Sequence, residues 1–161
     1  MEFIDLEKKI GYKFKDKHHL NESLTHRSYL NENPKWSFSN NERLEFLGDA
    51  VLELAVTEEL YNRFPEFQEG QMTGVRSALV NYLMMAKVAK DIELEKFVLL
   101  SRGEAKDTGR ARNYILANAV EAVIGAVYLD SGYDAADKFI NSFVLDELPS
   151  VLTSGVYRDY K

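Results

Sequence analysis

Residues 41–53 constrain the fold of this 161-residue chain more than any other stretch, because they form a helical pattern that is apolar nearly all round and acidic along one stripe. Asn40 or Asn41 is positioned to cap the start of such a helix. At about 100° per residue, four acids align on one face. These acids are Glu42, Glu45, Asp49 and Glu53. An apolar surface this wide predicts a buried helix, and buried like charges require partners.

Two interpretations of the acidic stripe are open at this point. It is either a face satisfied by solvent or by Arg and Lys from elsewhere, or a site for a cation. Gly48 lies among the acids and costs roughly 1 kcal/mol relative to alanine in a helix, which indicates that another group approaches closely. A second apolar helix, predicted over residues 114–129, also carries its polar and small residues along one stripe. These residues are Tyr114, Asn118, Glu121, Gly125 and Tyr128.

If the two stripes face each other, they bring together four side-chain oxygen donors and no sulfur or imidazole. The four donors are Glu45, Asp49, Asn118 and Glu121. Such a set suits Mg²⁺ or Mn²⁺ rather than Zn²⁺.

Residues 41–49, Asn-Glu-Arg-Leu-Glu-Phe-Leu-Gly-Asp, match the signature of the ribonuclease III family without a mismatch. Supporting motifs follow the family's order along nearly the whole chain. They are residues 24–29, 69–70 with Arg76, 78–81, 103–104, and 115–118 leading to 121–122 and 125–126. The chain therefore resembles the bacterial type of this family, whose members are double-stranded-RNA endonucleases.

The resemblance implies an all-α endonuclease fold and a homodimer with one Mg²⁺-dependent site per subunit, in which Mn²⁺ can substitute. It implies that Asp49 and Glu121 are catalytic and that they bind metal together with Glu45 and Asn118. Supporting acids are expected at Glu42, Glu69 and Glu104. Phe46 matches an aromatic that enters a pocket of the partner subunit, although plain packing within the chain suits it too. Gly48 is expected at the same dimer interface.

Asn118 departs from the resemblance, because the family commonly has Asp at this position. An amide oxygen can still bind Mg²⁺, but the site loses one negative charge. Three interpretations are open: an active natural variant, an engineered change that traps substrate, or a catalytically weak member. The competing hypotheses are a module that binds duplex RNA or dimerises without cutting, and a purely structural domain with its acids paired to Arg43 and Arg76.

The basic residues have two interpretations, as contacts to RNA phosphate or as solvated side chains. The candidates are Arg76, Arg102, Lys106, Arg110 and Arg112. All but Arg76 lie in residues 99–112, which are predicted to form a loop. His18, His19 and His26 have no ligand spacing, so we expect a structural hydrogen bond at His26 and surface roles for the other two. We expect Trp36 and Phe38 to fix the polar loop 31–40 to the core.

Composition sets bounds on the class of protein. At 45% hydrophobic and 29% charged residues the chain suits one globular domain. The resemblance assigns residues 1–152 to the endonuclease domain and residues 153–161 to a linker towards an absent RNA-binding domain. A net charge of −6 argues against phosphate binding unless cations mediate it. With no cysteine, no signal-peptide pattern and no stretch long and apolar enough for a bilayer, we expect a cytoplasmic protein with no membrane contact.

Helical periodicity extends over almost the whole chain, and no segment alternates as a strand does. The predicted helices cover residues 2–10, 17–28, 41–63, 82–91, 114–129, 134–143 and 145–152, with another beginning at the turn 69–73.

Overall fold

The computed structural model describes residues 2–155, which form an all-α domain, as predicted. Its ten α-helices are α1 (Ile4–Ile10), α2 (Lys17–Ser23), α3 (Arg27–Glu32), α4 (Glu42–Arg63), α5 (Glu69–Val80), α6 (Tyr82–Asp91), α7 (Arg102–Lys106), α8 (Arg110–Ser131), α9 (Tyr133–Phe143) and α10 (Leu148–Ser154). Short 3-10 turns cover Leu94–Lys96 and Leu145–Glu147. Residues 156–161, most of the predicted linker, lie outside the described residues.

Helix α8 is the centre of the domain, and α4, α6, α2 and α9 pack around it. By length and composition alone α8 is apolar enough to cross a membrane, but 61% of its most apolar 18-residue window is buried inside the fold. Burial of this window between the surrounding helices is what a core helix requires.

Helix α4 is buried on one side only, which corrects the expectation of a helix buried nearly all round. Leu44, Leu52 and Val56 belong to the core. In contrast, Phe46 is 84% exposed and Tyr61 is 72% exposed on the free side of the same helix. An apolar stripe left in water along a core helix indicates a surface for association.

The close approach predicted at Gly48 occurs within the chain, where α4 crosses α8. A Cβ at Gly48 would lie 1.7 Å from the carbonyl oxygen of Glu121, and a Cβ at Gly125 would lie 2.4 Å from that of Leu44. The two backbones therefore touch at this crossing. Gly48 is buried against α8 within its own chain, and its expected place at a dimer interface stays a prediction.

The single helix predicted over residues 17–28 is wrong, because a non-local backbone pairing interrupts it. The Leu99 N–H donates to the Leu24 carbonyl (2.8 Å), and the His26 N–H donates to the Leu99 carbonyl (3.1 Å). Thr25 and Leu99 thus form an isolated parallel bridge between α2 and α3. Residues 99–112 are likewise not a plain loop, since they contain α7 and the start of α8.

The start of α4 is fixed by its neighbours. The Asn40 side chain accepts from the Glu42 N–H (3.0 Å), whereas Asn41 Nδ2 donates to the Ser23 carbonyl (3.1 Å). The loop before α4 is held by Trp36, whose Nε1–H donates to Thr25 Oγ1 (3.2 Å), as expected of a residue that fixes this loop. These bonds set where the first acids of α4 lie.

Candidate active site

A cleft of about 540 Å³ opens between the first turns of α4, the middle of α8 and the start of α3. All four predicted ligands line it: Glu45, Asp49, Asn118 and Glu121. Glu42 lies on the same wall, while Glu53 does not line the cleft. The Gly48–Gly125 crossing explains the meeting of the two stripes, because it leaves no side chain between α4 and α8 at this level.

Burial and neighbouring carboxylates raise the pKa of two acids in the cleft, Glu121 and Glu45. Burial raises the pKa of Glu121 to about 9, aided by a hydrogen bond with the Asp49 carboxyl and by the charges of Asp49, Glu45 and Glu53. Burial also raises the pKa of Glu45, with the charges of Glu42 and Asp49 acting in the same direction. A carboxyl that retains its proton at neutral pH indicates that no cationic side chain is paired with it.

Among the described residues, basic side chains form ion pairs only with the first and last acids of the stripe, Glu42 and Glu53. Arg76 Nε lies 3.0 Å from Glu53 Oε2, and its Nη1 donates to Thr57 Oγ1 (2.9 Å). Arg27 Nη1 lies 4.0 Å from Glu42 Oε2. Within residues 2–155, no ion pair reaches the three acids that are predicted to bind metal, Glu45, Asp49 and Glu121. This distribution disfavours a purely structural domain whose acids are paired with Arg43 and Arg76.

The donor set fits a hard divalent cation. Three carboxylates and the amide oxygen of Asn118 share one cleft, and a cation would replace the proton that Glu121 otherwise holds. Within the described part of the chain, no three His, Asp or Glu side chains stand close enough to form a metal site as they are.

Comparison with known proteins identifies the family. A family model described as Ribonuclease-III-like matches residues 16–148. The chain belongs to the ribonuclease III family. It is 44% identical over its whole length to Ribonuclease 3 of Oceanobacillus iheyensis, of which it covers 70%, and 48% identical over 141 residues to that of Desulfotalea psychrophila, of which it covers 58%. It is therefore an endoribonuclease of this type.

A solved structure shows the same architecture. The nuclease domain of ribonuclease III from Campylobacter jejuni superposes with a TM-score of 0.82 at 40% identity, covering 92% of this chain and 99% of that one. In that protein a region involved in dimer formation is structurally flexible. This match confirms the helical endonuclease fold that the signature predicted.

The supporting acids of this ribonuclease III domain occupy different places. Glu42 lines the cleft, whereas Glu69 lines a separate small pocket beside Arg76 at the α4–α5 contact. Glu104 lies in the first turn of α7, where its charge acts on the ring of His26. The structure therefore brings only Glu42 of these three into the cleft itself.

The basic residues predicted to bind RNA differ in their exposure and in their bonds to other residues of the chain. Arg102 is largely exposed beside Glu32, and Lys106 and Arg110 are exposed. Arg112 is partly buried, and its Nη2 donates to the carbonyls of Glu104 (3.2 Å) and Ala105 (2.7 Å). Arg112 thus ties α7 to α8, which disfavours the RNA contact predicted for it; the same holds for Arg76, which is held by Glu53.

His26 lines the cleft, a position that no local sequence signal indicated. Its Nδ1 accepts the Ser28 N–H (3.2 Å) at the start of α3, which confirms the expected structural hydrogen bond. Burial lowers the pKa of His26, opposed by the charge of Glu104. Because non-local bonds of residues 24–28 with Leu99, Ser101 and Asn41 hold the start of α3 at the cleft, a local sequence pattern does not reveal this position.

Proposed function

We propose that this chain is a divalent-metal-dependent endonuclease that cuts double-stranded RNA and leaves 5′-phosphate and 3′-hydroxyl ends with short 3′ overhangs. Processing of ribosomal RNA precursors and of mRNA in the cytoplasm is part of this proposal. The observation that carries it is the cleft in which four oxygen donors meet and Glu121 has a pKa of about 9. The signature that the chain shares with its family, and the bacterial ribonucleases it resembles, support the choice of substrate.

Mg²⁺ is the proposed cofactor, with Mn²⁺ as a substitute, held by Glu45, Asp49, Glu121 and the amide oxygen of Asn118. When bound, such an ion polarises the scissile phosphate and lowers the pKa of an attacking water. Glu121 must first release the proton that it holds at neutral pH. Its carboxylate and that of Asp49 are then acceptors for the proton of the attacking water.

The RNA is proposed to be recognised by its A-form shape, its phosphates and its 2′-hydroxyl groups rather than by base sequence. Arg102, Lys106 and Arg110 are the exposed cations proposed to contact phosphate. Their exposed positions on α7 and at the start of α8 support this role. They also offset, locally, a net charge of −6 that opposes RNA binding.

A homodimer is part of the proposal. Phe46 projects into solvent at the rim of a pocket of about 1010 Å³ that includes Leu44, Leu47 and Leu129. A two-fold axis would place the Phe46 ring of each subunit in the pocket of the other, since one surface then supplies both parts. The dimer-forming region of the Campylobacter jejuni nuclease domain supports the same assembly.

A second candidate function is a weak or inactive enzyme that binds duplex RNA or dimerises. Asn118 is the observation that favours it, because an amide stands in the cleft where a carboxylate would add charge for a cation. The complete set of Glu42, Glu45, Asp49 and Glu121 argues the other way. A binding module has no use for a cleft in which burial and neighbouring carboxylates raise the pKa of Glu45 and Glu121.

The test is cleavage of a long, perfect RNA duplex at low salt with Mg²⁺, Mn²⁺ or EDTA. We expect cuts with either metal, short 3′ overhangs and no cutting in EDTA. Glu121→Gln should abolish cleavage, while Glu95→Gln, a change at an exposed acid outside the cleft, should leave it intact. Metal-dependent retention of duplex in a gel without cutting would select the binding module. Cutting by Glu121→Gln would overturn the proposal.

A further inference from the structure

His26 has one ring nitrogen fixed by its own helix. Nδ1 accepts the Ser28 N–H (3.2 Å) and lies 2.7 Å from Ser28 Oγ. Because Nδ1 accepts the Ser28 N–H, the Ser28 hydroxyl is the donor in its contact with Nδ1, and its oxygen in turn accepts the Ser101 N–H (2.9 Å). An Nδ1 that accepts two hydrogen bonds carries no proton, and the neutral ring therefore has its proton on Nε2.

The second ring nitrogen is available to a ligand. Nε2 makes no hydrogen bond within residues 2–155, and His26 forms the wall of the acid cleft together with Arg27. Burial lowers the pKa of His26, which keeps the ring neutral and the Nε2–H in place at neutral pH. The α3 side of the cleft thus offers donors, opposite the acceptors of α4 and α8.

We propose that His26 is a substrate-positioning residue whose Nε2–H donates a hydrogen bond to a phosphate oxygen of the RNA strand in the acid cleft. This inference rests on the proposed function, which requires the scissile phosphate to lie beside the carboxylates. A phosphate oxygen is an anionic acceptor and makes a stronger hydrogen bond than a neutral one. The bond between Ser28 and Ser101 holds the donor in one orientation relative to α7.

The alternative is that His26 only caps α3, and two substitutions separate these roles. His26→Asn keeps a cap, because an Asn side chain accepts the Ser28 N–H well, but it is too short to replace Nε2–H. His26→Gln retains an N–H donor at a reach close to that of Nε2 and is a poor cap. If His26 is only a cap, Gln harms the protein and Asn does not.

The experiment measures binding of a short RNA duplex by fluorescence anisotropy with Mg²⁺, in a Glu121→Gln background that prevents cleavage. We expect His26→Asn to leave Tm unchanged and to weaken binding about tenfold, the loss of one hydrogen bond to a charged group. His26→Gln should lower Tm and bind within about twofold of the parent. Equal binding by His26→Asn and the parent would overturn the proposal.

Two further readouts locate the contact. In ¹⁵N spectra of the parent, the Nε2 resonance of His26 should shift when RNA is added, while the Nδ1 resonance remains that of an unprotonated nitrogen. A second duplex carries 2′-deoxy nucleotides at the bond that the enzyme cuts. The difference in affinity between the parent and His26→Asn should be the same for this duplex as for the all-RNA duplex. Loss of that difference would place the contact on ribose and contradict the phosphate assignment. A chain with native His26 that neither cuts nor binds duplex RNA would contradict the proposed function instead.

Discussion

Asn118 sets the charge available to a cation in the cleft. Asn118→Asp should lower the Mg²⁺ concentration needed for half-maximal cleavage, because a carboxylate binds Mg²⁺ more strongly than an amide oxygen does. The measurement is initial cleavage rate against Mg²⁺ concentration. Asn62→Asp is the matched control, since it adds the same charge at an exposed position near the far end of α4. An unchanged Mg²⁺ requirement would mean that Asn118 does not bind the metal.

Glu121 should make stability depend on pH. The folded protein holds its proton up to about pH 9, whereas the unfolded chain releases it near 4.5. Between these values the unfolded state binds fewer protons, so the free energy of unfolding falls as pH rises. In EDTA, Glu121→Gln should therefore have a higher Tm than the native protein, and this difference in Tm should grow from about pH 5 to pH 8.

Mg²⁺ should reverse that comparison, because it binds the folded native protein and raises its Tm by mass action. Thermal melts of both proteins across pH, with and without Mg²⁺, provide the measurement. Glu95→Gln, at an exposed position, should show a difference from the native protein that does not change with pH. A Glu121→Gln protein that is less stable than the native one at alkaline pH in EDTA would contradict this prediction.

At the scale of elements, the crossing of α4 and α8 holds the cleft together. Gly48→Ala should lower both stability and activity although no acid changes, because its Cβ would lie 1.7 Å from the Glu121 carbonyl oxygen. We expect a loss of about 1–3 kcal/mol, as for other overpacked sites, against a gain of roughly 1 kcal/mol in helix propensity. Denaturant unfolding and cleavage assays measure both effects.

Gly70→Ala is the control for Gly48→Ala, since Gly70 is also helical and a Cβ there meets no atom within 4 Å. This substitution should leave the stability unchanged or raise it by up to about 1 kcal/mol. If Gly48→Ala were equally harmless, the backbones of α4 and α8 would not be in the contact described.

The sequence predicted the elements with local signals and missed those that depend on distant contacts. The predicted ends of α1 at residue 10 and of α8 at residue 129 agree with the structure to within two residues, and a glycine with positive φ follows each helix, at Gly11 and Gly132. The break between α2 and α3 was missed, because it depends on Leu99, more than 70 residues away. The positions of the polar residues on the two helical stripes were enough to predict the four oxygen donors of the cleft. The position of His26 in the cleft wall was not predictable in this way, because it follows the pairing of Thr25 with Leu99.

At the scale of the whole molecule, the exposed stripe of α4 needs an explanation that one chain does not supply. Phe46, Leu54 and Tyr61 are all more than half exposed along a single helix. Apolar side chains scattered singly are ordinary on a protein surface, but a stripe beside an apolar pocket marks an interface. Gly48, on the buried side of the same helix, fixes the direction in which this stripe faces, away from α8.

Phe46→Asp should therefore convert the proposed dimer to a monomer. The substitution places a charge where an aromatic ring would be buried in the partner subunit, and loss of such an anchor typically costs more than 2 kcal/mol of association free energy. Sedimentation velocity across a range of protein concentrations gives the mass, and circular dichroism checks that the helices remain. Leu83→Asp is the control, because Leu83 is 59% exposed on α6 and distant in sequence from the stripe. It should leave the mass of the assembly unchanged, whereas a native protein that sediments as a monomer at all concentrations would show that the stripe of α4 serves another purpose.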